Sequence, residues 1–422
     1  MNRMAAATLA TLIAVSGARA DESFDAGAYD KKAFEWTGYV EVMPERQWLR
    51  QDSAGYQLLY PGEARSTVNR LGGSAELSGV LRHQSLSFHF TGHANALHGP
   101  DGTASDARMY EAYAGWQVDP NINTEIGKRA LRWGTGYAWN PVGFMQRPKD
   151  PFDPELSREG YGMAIGSFVQ SFEGPLQTMA LTGLLLPTTS GLNSDFGPAG
   201  YLNPAIKVYG LVYDTDVNLM FAGRGSRGPR LGFDFSRNLG SNLEVHGEWA
   251  HTADAPRAVL SENNTLVVET RSFVNYLVGM RYLSERDTTV IFEYYRNGGG
   301  FSTAESQQFY ELVRASPGND ALSKLVARAA AQGYTRPNMM QHYVYLRVSQ
   351  KEPFDILDFT PSVSLIANTG DHSWSLIPEM LYTGVKNLEL RARVALTQGD
   401  AGTEYGERAV RSRIELRARL YF

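Results

Sequence analysis

The stretch Ala409–Phe422, AVRSRIELRARLYF, divides on a two-residue period into faces that cannot share one environment. Ile414, Leu416, Ala418, Leu420 and Phe422 fall on one side, and Arg411, Arg413, Glu415, Arg417, Arg419 and Tyr421 on the other. The preceding segment repeats the pattern, with Leu388, Leu390, Ala392, Val394 and Leu396 alternating with Glu389, Arg391, Arg393, Ala395 and Thr397. A soluble sheet could hide the apolar face in a core, but the arginine row would then have only water above it. In a membrane-spanning barrel the apolar face meets lipid and the polar face a lumen. An Arg on the lipid side at mid-bilayer costs about 2–4 kcal/mol, so a slip of one residue is excluded. The expected fold class is all-β, a transmembrane antiparallel barrel with inward-pointing arginines.

The beginning of the chain fits an exported protein. MNRMAAATLATLIAVSGARA has a basic start at Arg3, an apolar run from Met4 to Val15 and a small-residue site at Ala18–Ala20, so a secretory signal over 1–20 is expected, with one barrel domain over 21–422. No stretch offers the roughly 18–20 apolar residues of a transmembrane helix, so any crossing must be made by strands. Cysteine is absent, which leaves a closed hydrogen-bonded sheet or a large core to supply stability. Beyond residue 20 the chain carries 38 Lys and Arg against 45 Asp and Glu, a balance that argues against nucleic-acid binding. The 22 Tyr, 19 Phe and 42 Gly beside a negative mean hydropathy suit strands that are half wet and ringed by aromatic belts.

Strand-like segments recur near 34–43, 72–82, 84–93, 107–118, 121–130, 160–171, 175–186, 204–213, 216–224, 229–238, 242–252, 270–283, 287–297, 339–350, 356–368, 373–384, 386–398 and 408–422. Their connections alternate between short ones, such as His83 and Asp119–Pro120, and long ones: 44–71, 94–106, 131–159, 187–203, 253–269, 298–338 and 399–407. Short turns at one rim and long loops at the other are a barrel trait, and this parity puts both chain ends on the short-turn side. The expected count is about eighteen; Pro361 interrupts one ladder and leaves sixteen as the alternative.

The signal-like start, the long-short alternation and the closing strand that ends on Phe422 together resemble Gram-negative outer-membrane porins, most of all the substrate-selective porin and alginate-export type of barrel. That resemblance implies the Gram-negative outer membrane, contact with its lipid and lipopolysaccharide, and barrel assembly machinery reading the strand that ends at Phe422. It allows a homotrimer, and it implies passive diffusion of small hydrophilic solutes with no cofactor, metal or catalytic step. The alternative is an export barrel, kept shut until a periplasmic partner delivers a polymer. Porins commonly fold their third external loop, here 131–159, into the lumen. Within it RWGTGYAWNP, 132–141, and RPKDP, 147–151, look like a family signature.

The chemistry of 131–159 suits an insertion. Pro141, Pro148, Pro151 and Pro154 restrict the backbone, and Trp133, Tyr137, Trp139, Phe144 and Phe152 offer packing surface. Arg132, Arg147, Lys149, Asp150, Asp153, Glu155 and Arg158 are then expected at the narrowest point, unless the loop folds on itself as a cap. The second candidate is the basic ladder of Arg391, Arg393, Arg411, Arg413, Arg417 and Arg419. Acids on other arcs, Glu76, Glu111, Glu125, Glu244, Glu248 and Glu293, would complete a transverse field that favours anions. Alternatively Glu35, Glu41, Glu389 and Glu415 neutralise the ladder, though four acids against six arginines leave a positive surplus. In 298–338 apolar residues at helical spacing flank Ser316-Pro317-Gly318 and predict two short amphipathic helices, either packed on neighbouring loops or acting as a gate. His89 and His93 stand about 13 Å apart on a strand, too far to chelate one ion alone. A triad from His93 or His98 with Asp101 and Ser105 has no favourable spacing, and the spacing of Asp150, Asp153 and Glu155 matches no standard calcium loop.

Overall fold

The computed structural model describes residues 32–422 apart from Glu262, and Phe34–Phe422 forms one compact unit. The signal sequence expected at 1–20 lies outside the described residues. Eighteen strands follow in chain order. The first six are β1 (Phe34–Leu49), β2 (Thr67–His83), β3 (Leu86–Gly99), β4 (Gly102–Asp119), β5 (Ile122–Arg129) and β6 (Tyr161–Ser171). Next come β7 (Leu176–Thr188), β8 (Tyr201–Val212), β9 (Thr215–Ala222), β10 (Arg230–Asn238), β11 (Leu243–Leu260) and β12 (Leu266–Leu283). The last are β13 (Thr288–Arg296), β14 (His342–Gln350), β15 (Phe359–Asn368), β16 (Ser373–Val385), β17 (Leu388–Gln398) and β18 (Val410–Tyr421). Each pairs with the next and β1 pairs with β18, so the sheet has no free edge.

The closing register carries out the sorting read from the sequence. Val40 stands opposite Leu420 and Val42 opposite Ala418, while Glu41 meets Arg419 and Gln47 meets Arg413. Ile414, Leu416 and Leu420 are exposed on the outer wall, and Glu415 is buried on the inner one. At the seam Phe422 exchanges both backbone hydrogen bonds with Gly38, and its ring lies 5.8 Å from that of Trp36. Sixteen strands are ruled out because Pro361 sits just beyond the β14 ladder, whose last pair is Ser349 with Ser362, and so owes that neighbour no N–H.

Two of the long loops expected from the sequence are strand instead. The segment 94–106 is the top of a tall hairpin in which β3 and β4 are separated by residues 100–101 alone, and 253–269 shrinks to 261–265 between β11 and β12. Residues 44–71 likewise yield their ends to β1 and β2 and keep one short helix, α1 (Ala54–Leu59). Such stretches lack apolar alternation; Ala94–Asn95–Ala96 and Thr103–Asp106 are exposed. Backbone pairing continues regardless, because it needs no apolar face. The 297–341 connection carries α2 (Thr303–Ala315) and α3 (Asp320–Ala329). Ser302 and Glu305 close a capping box at the start of α2, and Asn319 caps α3.

Much of the lumen is filled by packed apolar side chains. Leu277, Ile291, Tyr343, Tyr345, Ile366 and Ile377, all on strands β12 to β16, are buried with Trp139, Phe309, Val313 and Tyr334 in one apolar cluster. A second cluster joins Trp133, Val142, Phe144 and Met145 to Met163, Leu184, Leu186 and Met220 on β6, β7 and β9. The third loop is therefore the filling between two arcs of wall.

Candidate functional site

The loop 130–160 is held in place by carboxylates on the far wall. Glu248 of β11 accepts hydrogen bonds from the backbone N–H of Gly136 at 2.7 Å and of Val142 at 3.1 Å. Glu293 of β13 accepts from the N–H groups of Tyr137 and, at 2.9 Å, Ala138, and His246 Nε2 lies 3.0 Å from it. Both acids are almost fully buried, at 3% and 0% exposure, so the amide groups stand where water would otherwise solvate the charge. Lys149 lies across the same turn and donates to the carbonyls of Gly136 and Tyr137. Burial pulls its ammonium below the ordinary value, while Glu293 and Glu248 act in the other direction. The signature glycines follow from this cradle: Gly134 has φ of +95°, and a Cβ there would stand 2.7 Å from the Glu248 carboxylate.

Beyond the cradle, Trp139 enters an aromatic box, stacked 5.3 Å from Tyr295 and edge-on to Tyr345 at 6.1 Å. The chain then returns to the seam side, where Asp153 lies 3.0 Å from Arg417 and 3.4 Å from Arg393. Burial alone would raise the Asp153 carboxyl, but Arg393, Arg417 and Arg391 outweigh it and hold it below the ordinary carboxylate value. Glu159 closes the loop, paired with Lys128, with Arg147 at 3.2 Å and with Arg108 at 3.3 Å.

Two cavities remain open beside the loop. The larger, about 1060 Å³, is lined by Glu76, Glu111, Glu125, Arg129 and the loop residues Arg132, Arg147, Lys149 and Arg158. The smaller, about 380 Å³, is lined by Tyr39, Asp153, Glu389, Arg391, Arg417, Arg419 and Tyr421. Both are bounded by Glu76 and Ser78 of β2 and by Glu155, Leu156 and Ser157 of the loop. They lie along the β1 to β7 and β17 to β18 wall, away from the packed cluster centred on β12 to β16.

The expected site residues divide accordingly. Arg391, Arg417 and Arg419 reach the smaller cavity, whereas Arg393, Arg411 and Arg413 line neither of the two. Asp150 also lines neither; its carboxylate accepts the Phe152 N–H. Arg147 and Lys149 line the larger cavity and also fasten the loop, Arg147 pairing with Glu159 of the loop itself and with Asp195 of the connection between β7 and β8. Five of the six arginines of the ladder stand beside an acid. Arg419 pairs with Glu41 at 2.7 Å, Arg417 with Glu415 at 2.6 Å, Arg391 with Glu389 at 3.1 Å and Arg393 with Glu379 at 2.5 Å. Arg413 lies 3.3 Å from Glu45. Glu45, Glu379 and Asp153 were missed as partners, the first because it lay in a segment read as loop. Glu35 pairs with Arg82 rather than with the ladder. Exposed Arg411 makes no ion pair among the described residues.

The opposed acidic arcs are also reassigned. Glu111 and Glu125 flank Arg129 at 3.2 and 3.0 Å, and Glu248 and Glu293 bind the loop backbone rather than a free field. The histidine grouping is not assembled: His98 bonds Thr103, Asp101 pairs with Arg65, and His93 faces Glu76 while stacking on Tyr110 at 4.5 Å. Among the described residues no three acidic or histidine side chains converge as metal ligands.

No protein-family model matches the chain, and no curated protein matches it. Among solved structures it is similar to OccAB3 of Acinetobacter baumannii, with 10% identity over 92% of this chain and 99% of that one and a TM-score of 0.51. It is similar to OccK5 of Pseudomonas aeruginosa, with 10% identity over 92% and 97% and a TM-score of 0.50. A Rh. blastica porin variant aligns at a TM-score of 0.45 with 10% identity over 92% of this chain and 100% of that one. At such identity the likeness to OccAB3 and OccK5 is one of fold alone, and it agrees with the closed ring of strands. The fold of this chain is that of a porin-type β-barrel, closed by eighteen antiparallel strands.

Proposed function

We propose that the chain is an outer-membrane channel through which small hydrophilic solutes diffuse passively, with a modest lean toward anions. The observation that carries the reading is the pair of adjoining cavities beside the loop, lined largely by charged side chains and set off-centre from the packed apolar cluster. The lean toward anions rests on the larger cavity rather than on the ladder. Arg132 and Arg158 have no carboxylate partner there among the described residues, and Arg158 donates only to the Arg147 carbonyl. Burial, and then repulsion from Arg132, pull the Arg158 guanidinium below its ordinary value, as expected of a cation without counter-charge. Fixed charge focused by low-dielectric walls raises the local concentration of its counter-ion. Solutes moving down their gradient need no cofactor or covalent step.

The test is purified protein in a planar bilayer under a KCl gradient. The expected result is spontaneous conductance with a reversal potential of the chloride-preferring sign, moved toward the potassium side by R132Q/R158Q. A potassium preference in the unaltered protein would overturn the anion lean. A bilayer that stays silent would favour the export barrel held shut by its loop.

A further inference from the structure

Leu156 stands at the junction of the two cavities. Of all the residues that bound them, only Glu76, Ser78, Glu155, Leu156 and Ser157 are common to both. The border between the two cavities therefore runs along the β2 wall and the tip Glu155–Leu156–Ser157. Leu156 is 50% exposed, whereas Trp133, Trp139, Val142 and Phe144 of the same loop are buried and Leu131 and Phe152 partly so.

The tip is short and fixed at both ends. Asp153 is held by Arg393 and Arg417, and Glu159 by Lys128, Arg108 and Arg147. Between these points the Leu156 N–H closes a turn onto the Asp153 carbonyl at 3.1 Å, and Glu155 accepts from the Tyr137 hydroxyl at 3.1 Å. The isobutyl group is thus presented to the passage by a braced turn. An apolar side chain at the narrowest part of a wet path limits flow by its girth and by expelling water.

We propose that Leu156, opposite Glu76 and Ser78, is the neck of this channel and sets the size of solute that passes. The inference rests on the channel reading for its readout. The two carboxylates at the neck add a weak brake on anions, consistent with a preference that is modest.

The experiment compares unitary conductance and the largest neutral polyethylene glycol that enters the pore for L156A, L156W and, as a control in another loop, L192A. Expected are a rise of about twofold and a larger cut-off for L156A, a fall of about threefold or more for L156W, and no change for L192A. If the unaltered protein conducts and neither Leu156 variant differs from it, the neck lies elsewhere and the proposal fails. If the unaltered protein is silent but L156A conducts, the passive-channel reading fails and the neck stands. Silence in both overturns both.

Discussion

Removing the two carboxylates that grip the third loop is the most direct perturbation of this architecture. In E248A/E293A the N–H groups of Gly136, Tyr137, Ala138 and Val142 lose their acceptors together. A buried donor left without a partner costs about 1–3 kcal/mol, so the four sum to roughly 4–12 kcal/mol. Water can follow into a lumen that already holds cavities, which places the effect near the lower end. Against it stands the packing of Trp139, worth about 3–5 kcal/mol by the usual cost of truncating a buried Trp. The docked and released loops should become comparable in population, where the intact protein holds a bias of a thousandfold or more, given ~1.4 kcal/mol per factor of ten. The assay is trypsin cleavage after Arg132 and Arg158 in folded barrel, with heat-dependent gel mobility certifying that the wall is intact, together with unitary conductance. Faster cleavage and a larger, noisier conductance are expected. A folded double variant with unchanged cleavage and conductance would refute the idea that these acids hold the loop.

The Asp153 anchor should be resistant to acid. Its carboxyl is depressed, so the stability it contributes is fully present above its ordinary value of 3.8 and is lost only as pH falls through the still lower folded-state value. Conductance scanned from pH 7 to pH 3 should show no Asp153-dependent step above about 3.8, whereas D153N should loosen the loop at neutral pH; a step near pH 5 abolished by D153N would contradict the ion pairing. On the outer wall, L416R should lower folding stability in lipid vesicles by about 2–4 kcal/mol, read from urea titrations, and an unchanged midpoint would mean that this face does not meet hydrocarbon.

The wall was legible because hydrocarbon imposes one rule on every second residue, and β17 and β18 obey it from Leu388 to Leu396 and from Ile414 to Leu420. Strand ends were less visible, since above the bilayer neither face of β3 or β4 is apolar and only the backbone keeps the pairing. The interior was the least legible part. A polar lumen was assumed, yet Tyr343, Tyr345, Ile366 and Ile377 face a packed cluster, and nothing in their own strands announces what fills the space before them. Glu248 and Glu293 could be read as inward acids but not as anchors, because their partners are backbone amides 106 to 156 positions earlier in the chain. The paired glycines of 132–141 were the available signal: they mark backbone that must approach something closely, which is the Glu248 carboxylate for Gly134 and, for Gly136, the Trp139 carbonyl and then that carboxylate.

The same wide separations bear on how the molecule is built. The loop leaves β5 early, but its grips belong to β11, β13 and, 240 positions later, Arg393 of β17. Until β13 and β14 have joined the ring, Trp139 has no wall to rest on. A half-made barrel therefore trails a sticky, unmoored segment, and long-range contacts of this kind form slowly and leave intermediates prone to clumping. Chains truncated before β13 should be the most prone to aggregate, and the lumen can take its final shape only as the ring is being completed around its own contents.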